Sequence, residues 1–459
     1  MTGEAIVEAR SYGRSAGLLT VALGTAGLLA YAFFAIASHT LSRDDYGQVV
    51  VLWSAVFLII STLFRPVEQL LSRTVAELDE QGRSVRHVLR IAAAIQLVVA
   101  AIFIVLALGL FGALEDDLFG GDALFVWAMV GAVLAFGGSY FARGYLAGRH
   151  QMGLYGAVLL VDGVARLCFA LALALGLADG VGIVAIGIAV APLVSLVVVP
   201  FALRAHAPPR PAPAEPDSKV AVEAAPEFTL AQGGGFAAAV LLIMLSEQVF
   251  LNGGPLFVRA AEGTAAAGFI FNVLMVARAP VVLFAAVAAS LLPHLTRLRS
   301  RGDESSDEAF RLSIRITLVV IAGFAVVVVL GLLAVGPQVM QLAFGEKFEY
   351  DRLGLVLVGL GMGFYLTAAT LNQAALAEGQ TRATAVCWVI CAIGFIVVNL
   401  LPGLDVFRRV EVAFLASAAL LSVLLYALHR HPIVRTEDIP EPDSPMELEL
   451  RAAAADEVG

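Results

Sequence analysis

An all-α integral membrane protein of twelve transmembrane helices in two six-helix lobes is the fold class this sequence predicts. Three observations predict it. Residues of apolar type make up 60% of the chain and charged residues 15%, with a mean hydropathy of +0.89; an ordinary soluble domain has about 45–50% apolar and about 25% charged residues. Twelve apolar stretches are each long enough to cross a bilayer, which takes about 20 mostly apolar residues. The two sets of six also partly repeat each other. Gly47 opens GQVVVLWSAVFLIISTLFRPVEQLLSRTVAEL and Gly268 opens GFIFNVLMVARAPVVLFAAVAASLLPHLTRL; each holds an internal Arg and Pro and ends in Leu-Leu (Leu70, Leu71; Leu291, Leu292) before basic residues. A duplicated six-helix unit implies a pathway between two lobes and makes transport the first hypothesis.

The expected spans are 16–38, 47–70, 88–113, 123–143, 153–176 and 181–203 in the first half, and 229–253, 265–293, 312–335, 352–376, 383–401 and 409–428 in the second. They divide the chain into a lobe over 1–204, a Pro-rich linker over 205–228, a second lobe over 229–430 and an acidic tail over 431–459. The linker composition predicts an extended, flexible connector. The tail composition predicts disorder. The N-terminus lacks the short apolar core and small-residue site of a cleaved signal peptide.

Arg and Lys sort to one side. The N-terminus, the loops after even-numbered spans and the C-terminus carry Arg10, Arg14, Arg73, Arg83, Arg86, Arg90, Arg143, Arg149 and most other basic residues. The odd loops carry Arg43, Arg259, Lys347, Arg352, Arg408 and Arg409. The positive-inside rule therefore puts both termini in the cytoplasm. Cys168, Cys387 and Cys391 all fall in apolar stretches without His or carboxylate neighbours, so they read as packing residues and neither a metal site nor a disulfide framework is expected.

A charge inside the bilayer is costly and lines a cavity or finds a partner. Asp162 and Arg166 lie mid-span at i,i+4 spacing, which puts them on one helix face. They read either as a self-neutralising structural pair or as a gate or ion-coupling site. Arg65 and Glu68 flank Pro66; Arg65 lies in the membrane if the helix continues to about Ala76, and at the interface if it ends at Phe64. The repeat favours continuation. Arg278, in VLMVARAPVVLF, has no acid within a turn, and Glu247 or Asp162 from another helix could face it. Glu247, Gln248 and Asn252 form a polar patch expected in the outer half of the seventh span. Asn272, Asn372 and Gln373 suit either sugar binding or helix contacts. The chain has no G-x-x-x-x-G-K-[ST] phosphate loop and no H-E-x-x-H, so transport energy is expected from an ion gradient, the membrane potential or the substrate gradient. No cofactor, catalytic residue or nucleic-acid partner is expected.

Three stretches resemble polysaccharide flippases (Wzx-like) of the multidrug/oligosaccharidyl-lipid/polysaccharide exporter superfamily. Leu41 to Gly47, LSRDDYG, is similar to the family turn after the first span, with Ser42 and Arg43 in place of its Gly-Pro. Gln69 to Glu77 resembles the segment ending the second span, and Arg278 to Leu298 the corresponding helix of the second half. A second internal repeat, Leu146 to His150 against Leu376 to Gln380, accompanies them, and the resemblance covers about residues 10–430. It implies two lobes in a V around a central cationic cavity, in a bacterial inner membrane. Arg65, Arg166 and Arg278 would hold the diphosphate of an undecaprenyl-linked sugar there, with Asn272, Asn372 and Gln373 toward the glycan. Glu68, Asp162 and Glu247 would gate or couple ions. Membrane lipids would surround the protein, and a glycan polymerase and glycosyltransferases would share its pathway.

The first rival is a cation-coupled drug or metabolite exporter of the same superfamily, relying on acids such as Asp162 and Glu247. A lipid II flippase would usually have two more helices. The major facilitator fold would carry a basic G-x-x-x-D-type loop after the second span, which is missing. A glycan polymerase or ligase would need a sizeable outward loop; the longest expected here, around 336–351, is short. A scaffold has little reason to keep an intramembrane charge such as Arg278.

Overall fold

The apolar stretches fold as helices in a computed structural model that describes residues 3–81, 83–204, 230–279 and 304–430. Every regular element among the described residues is helical. The first half comprises α1 (Gly3–Thr40), α2 (Arg43–Leu63), α3 (Arg65–Glu80), α4 (Arg86–Gly109), α5 (Ala123–Gly148), α6 (Met152–Ala174), and α7 (Gly182–Ser195), which passes through a 3-10 turn into α8 (Val199–Arg204). The second comprises α9 (Leu230–Glu262), α10 (Thr264–Ala279), α11 (Glu304–Phe344), α12 (Arg352–Ala377), α13 (Thr381–Leu400) and α14 (Val406–Arg430). Among the described residues, eleven helical segments have the length and apolarity of spans, with α2 and α3 counting as one over Arg43–Asp79. The shorter α10 begins the eighth expected span, whose remainder lies outside the described residues. So do the 205–228 linker and the 431–459 tail.

Local chemistry explains the helix starts. The Ser42 hydroxyl accepts from the Asp45 N–H at 3.1 Å and caps α2, with Asp44 and Asp45 in the first turn. Ser42 thus supplies the cap at one of the two positions that depart from the resembled family's turn. Asp122 caps α5 through the Leu124 N–H at 2.9 Å, and Asp351 caps α12 through the Gly354 N–H at 3.2 Å. Between α2 and α3 the ladder barely breaks: Phe64 N–H donates to the Ile60 carbonyl at 2.9 Å and Glu68 N–H to the Phe64 carbonyl at 3.0 Å. Pro66 sits in the first turn of α3, where its missing N–H costs little. The helix therefore continues past Ala76, and Arg65 lies inside the second span rather than at its end.

The seventh and ninth spans overrun their expected ends in ways that matter for the site and the loops. The seventh reaches Glu262, which moves Glu247 to the middle of Ala238–Glu262 rather than its outer half. The ninth reaches Phe344, so most of the expected 336–351 loop is helical. Arg143, expected in a cytoplasmic loop, lies within α5 and is buried.

The repeat is visible in packing. In each half the first span packs on the fifth, the fifth on the sixth and the fourth on the sixth: α1–α6, α6–α7 and α5–α7, then α9–α13, α13–α14 and α12–α14. Leu97, Val98, Ile102 and Val105 on α4, and Val319, Val327 and Leu330 on α11, are exposed. Apolar surfaces of this size are stable against lipid and a liability in water. One apolar core joins the halves, with Phe33, Phe34, Val50 and Trp53 meeting Phe271 and Leu274. The two glycines that open the repeated stretches lie close together here. A Cβ on Gly47 would overlap the Thr264 carbonyl, and one on Gly268 would sit 3.0 Å from the Tyr46 ring and 3.6 Å from Gly47 Cα.

Candidate substrate site at the seam between the halves

Helix α3 carries Arg65 to the seam, where its Nη1 lies 3.7 Å from Glu247 Oε2 on α9. Tyr365 on α12 donates its hydroxyl to Glu247 Oε1 at 2.6 Å. Arg278 on α10 lies near Tyr365 and near Tyr31 on α1. Tyr31 in turn donates to the Met275 carbonyl at 2.7 Å, tying the first half to the second. Two guanidiniums, one carboxylate and two phenols thus form a chain across the seam, with one excess positive charge. Buried Nε and Nη2 of Arg278 have no hydrogen-bond partner among the described residues. Unpaired charged donors away from water are expensive, and an anion would satisfy them.

Glu68 does not join this chain through hydrogen bonds. Tyr155 donates to its Oε1 at 2.9 Å, and Arg143 Nη2 lies 3.4 Å from its Oε2. Arg143 also sits over the Tyr140 ring, 3.9 Å from the centroid. This cluster joins α3, α5 and α6 within the first half. Asp162 and Arg166 bond each other, and Arg166 lies over the Trp53 ring at 4.6 Å. Here the paired arrangement open in the sequence is the one observed, although Asp162 Oδ1 and Arg166 Nε have no partner among the described residues.

The pair yields a stability prediction. Arg166→Met leaves the Asp162 carboxylate buried without a cation and should cost about 3–5 kcal/mol, whereas Arg166→Met with Asp162→Asn should recover most of that loss. Thermal unfolding in detergent reads both variants. An equal drop for the single and double variants would mean that the pair is not energetically coupled.

The amides divide. Asn272 accepts a buried hydrogen bond from Tyr46 across the seam. Asn372 accepts from Trp388 Nε1 at 3.0 Å inside the second half, a helix contact. Gln373 beside it is half-buried. Gln248 accepts from Asn252 Nδ2 at 2.8 Å along α9. Sequence reasoning missed Tyr31, Tyr365 and the Arg143–Tyr155 cluster. The signal available was a phenol within an apolar span, which needs a hydrogen-bond partner there.

At the end bearing the odd loops the halves close tightly. Thr264 Oγ1 donates to Asp44 Oδ1 at 3.2 Å, Arg43 lies over the Phe269 ring at 5.4 Å, and Arg259 Nε donates to the Leu118 carbonyl at 3.1 Å. Lys347 Nζ donates to the Leu41 carbonyl, and burial together with the neighbouring Arg43 charge lowers the ammonium pKa. Residues Gly13 to Gly17 spell G-x-S-x-G, but they lie inside α1 and do not form the strand-to-helix turn of a nucleophilic serine.

No protein-family model and no curated relative matches the chain. Its structure is similar to the inward-facing conformation of a multidrug resistance MATE family transporter of the MOP superfamily, at 12% identity and a TM-score of 0.68, covering 90% of this chain and 97% of that one. It is similar to the eukaryotic MATE transporter AtDTX14 at 13% identity and 0.59, covering 93% and 96%. It is similar to a point mutant of the Vibrio cholerae MATE transporter VcmN at 16% identity and 0.58, covering 92% and 97%. At these identities the likeness establishes the fold, a multi-pass membrane protein of twelve helices in two lobes.

Proposed function

We propose that this protein is a transporter that moves a lipid-linked oligosaccharide, carried on undecaprenyl diphosphate, from the cytoplasmic to the outer leaflet by alternating access. Arg278 carries the reading: a guanidinium at the lobe seam whose buried Nε and Nη2 have no partner among the described residues is matched by a substrate that brings its own negative charge. Guanidinium forks bind phosphate oxygens bidentately and stay charged at any physiological pH. The acids point the same way. Asp162 is bonded to Arg166 and Glu68 to Tyr155 and Arg143, so neither is a bare carboxylate awaiting a cation. On this reading both termini are cytoplasmic, the membrane is a bacterial inner membrane, and the lipid tail stays in the bilayer while the head group crosses. The seal at the odd-loop end leaves the site to be loaded from the cytoplasm. Glycosyltransferases would supply the substrate and a polymerase would consume it.

One observation favours a second reading, a cation-coupled exporter. The Arg65–Glu247 pair is long at 3.7 Å and Glu247 reaches the seam, so Glu247 is the carboxylate a coupled cation would use. Binding titrations on the purified protein separate the two. The flippase reading predicts saturable binding of farnesyl diphosphate and none of tetraphenylphosphonium. Binding of the cation alone would establish the second reading in its place.

A further inference from the structure

The Arg65–Glu247 pair joins one half to the other, since Arg65 comes from α3 and Glu247 from α9. At 3.7 Å the two charges attract, but the separation exceeds the ordinary reach of an N–H···O hydrogen bond, about 3.2 Å. The donors of Arg65 are therefore not spent on Glu247. Both side chains remain reachable, 43% and 25% exposed, whereas the Arg143–Glu68 pair is exposed only 11% and 12%. Glu247 is instead anchored on its far oxygen by Tyr365, which lies near both Arg65 and Arg278.

We infer that Glu247 is a built-in stand-in for the substrate's anion: a carboxylate held loosely against Arg65, which the diphosphate displaces on binding. The inference rests on the anionic-substrate reading above. With Glu247 in place, Arg65 is neutralised, and Arg278 has no carboxylate partner among the described residues. When a diphosphate takes Arg65, both guanidiniums face it, and the Tyr365 hydroxyl is freed from Glu247 to donate to a phosphate oxygen. Breaking the pair also removes an attraction between the halves, so occupancy of the site and loosening of the seam are the same event. Specificity follows: a ligand with one weak negative charge gains little over the resident carboxylate, whereas a diphosphate exceeds it in charge and in acceptor oxygens.

Binding of farnesyl diphosphate to the purified full-length protein, wild type against Glu247→Gln, tests this. Freeing Arg65 of the carboxylate that competes for it should tighten binding about tenfold or more, the equivalent of one hydrogen bond to a charged group. Glu247→Asp, which shortens the side chain and keeps the charge, should tighten it less and in the same direction. It also serves if Glu247→Gln fails to fold. In an Arg65→Ala background the gain from Glu247→Gln should shrink to the relief of like-charge repulsion alone, because the competition for Arg65 is gone and coupled neighbours are non-additive. Wild-type protein that ignores farnesyl diphosphate would sink the anionic-substrate reading itself. Wild-type binding that Glu247→Gln leaves unchanged or weakens, or tightens equally without Arg65, would leave that reading standing and overturn the displacement.

Discussion

Arg278→Ala abolishes transport while expression and membrane insertion stay intact. Hydrogen bonds to charged groups contribute about 1.5–3 kcal/mol each. Two buried donors, Nε and Nη2, are on offer at Arg278, without a partner among the described residues. At about 1.4 kcal/mol per factor of ten, losing both should lower productive binding by roughly a hundredfold or more. Arg278→Lys keeps the charge without the planar fork and should retain part of the activity. Stability gives the complementary readout. A structural arginine would lower the unfolding temperature when removed; a guanidinium held for an absent anion is a cost to the empty protein, so Arg278→Ala should unfold at the same temperature or higher. Undiminished transport by Arg278→Ala would remove the residue from the site.

Gly47→Ala lowers both stability and transport, against the usual sign of the substitution. Replacing glycine by alanine inside a helix ordinarily stabilises by about 0.5–1 kcal/mol. At Gly47 the added methyl would overlap the Thr264 backbone carbonyl, which cannot rotate away as a side chain tip would. Overpacking of this kind costs about 1–3 kcal/mol. It does so where Asp44, Thr264, Arg43 and Phe269 seal the odd-loop end, so the sealed state itself is disfavoured. Gly24 on α1 is the control, because a Cβ there meets nothing within 4 Å and Gly24→Ala should be neutral or stabilising. Unfolding temperatures for the two variants check the contrast; equal behaviour would mean that the close approach at Gly47 is not a constraint.

Much of the architecture was legible because its physical cause is linear in the chain. Apolar length marks a span, and two copies of six spans mark two lobes. The repeated openings at Gly47 and Gly268 even foreshadowed the place where the halves meet, although only packing shows that the two glycines face each other. Charges were legible one at a time: Arg65, Glu247 and Arg278 stand out because each sits in an apolar run. Their association was not: Glu247 or Asp162 was expected to face Arg278, but Glu247 meets Arg65 and Asp162 meets Arg166, because α3, α9, α10 and α12 approach only in three dimensions. Arg143 was misplaced because the fourth span was ended at the charge itself, when a buried cation opposite Glu68 lets the helix run on to Gly148. Tyr31 and Tyr365 were overlooked because a phenol fits an apolar span and declares its role only through its partner. Asn372 illustrates the converse, an amide suited to a sugar that instead accepts from Trp388.

The central claim, an anionic lipid-linked substrate held by arginines at the seam, is tested most directly by reconstitution. Wild-type protein and Arg278→Ala are placed in liposomes holding a fluorescent polyprenyl-diphosphate oligosaccharide, and its leaflet exchange is followed by quenching from one side. The account predicts rapid exchange with wild type and exchange near the protein-free rate with Arg278→Ala. Wild-type exchange no faster than protein-free liposomes, with gradient-driven movement of a lipophilic cation instead, would contradict it.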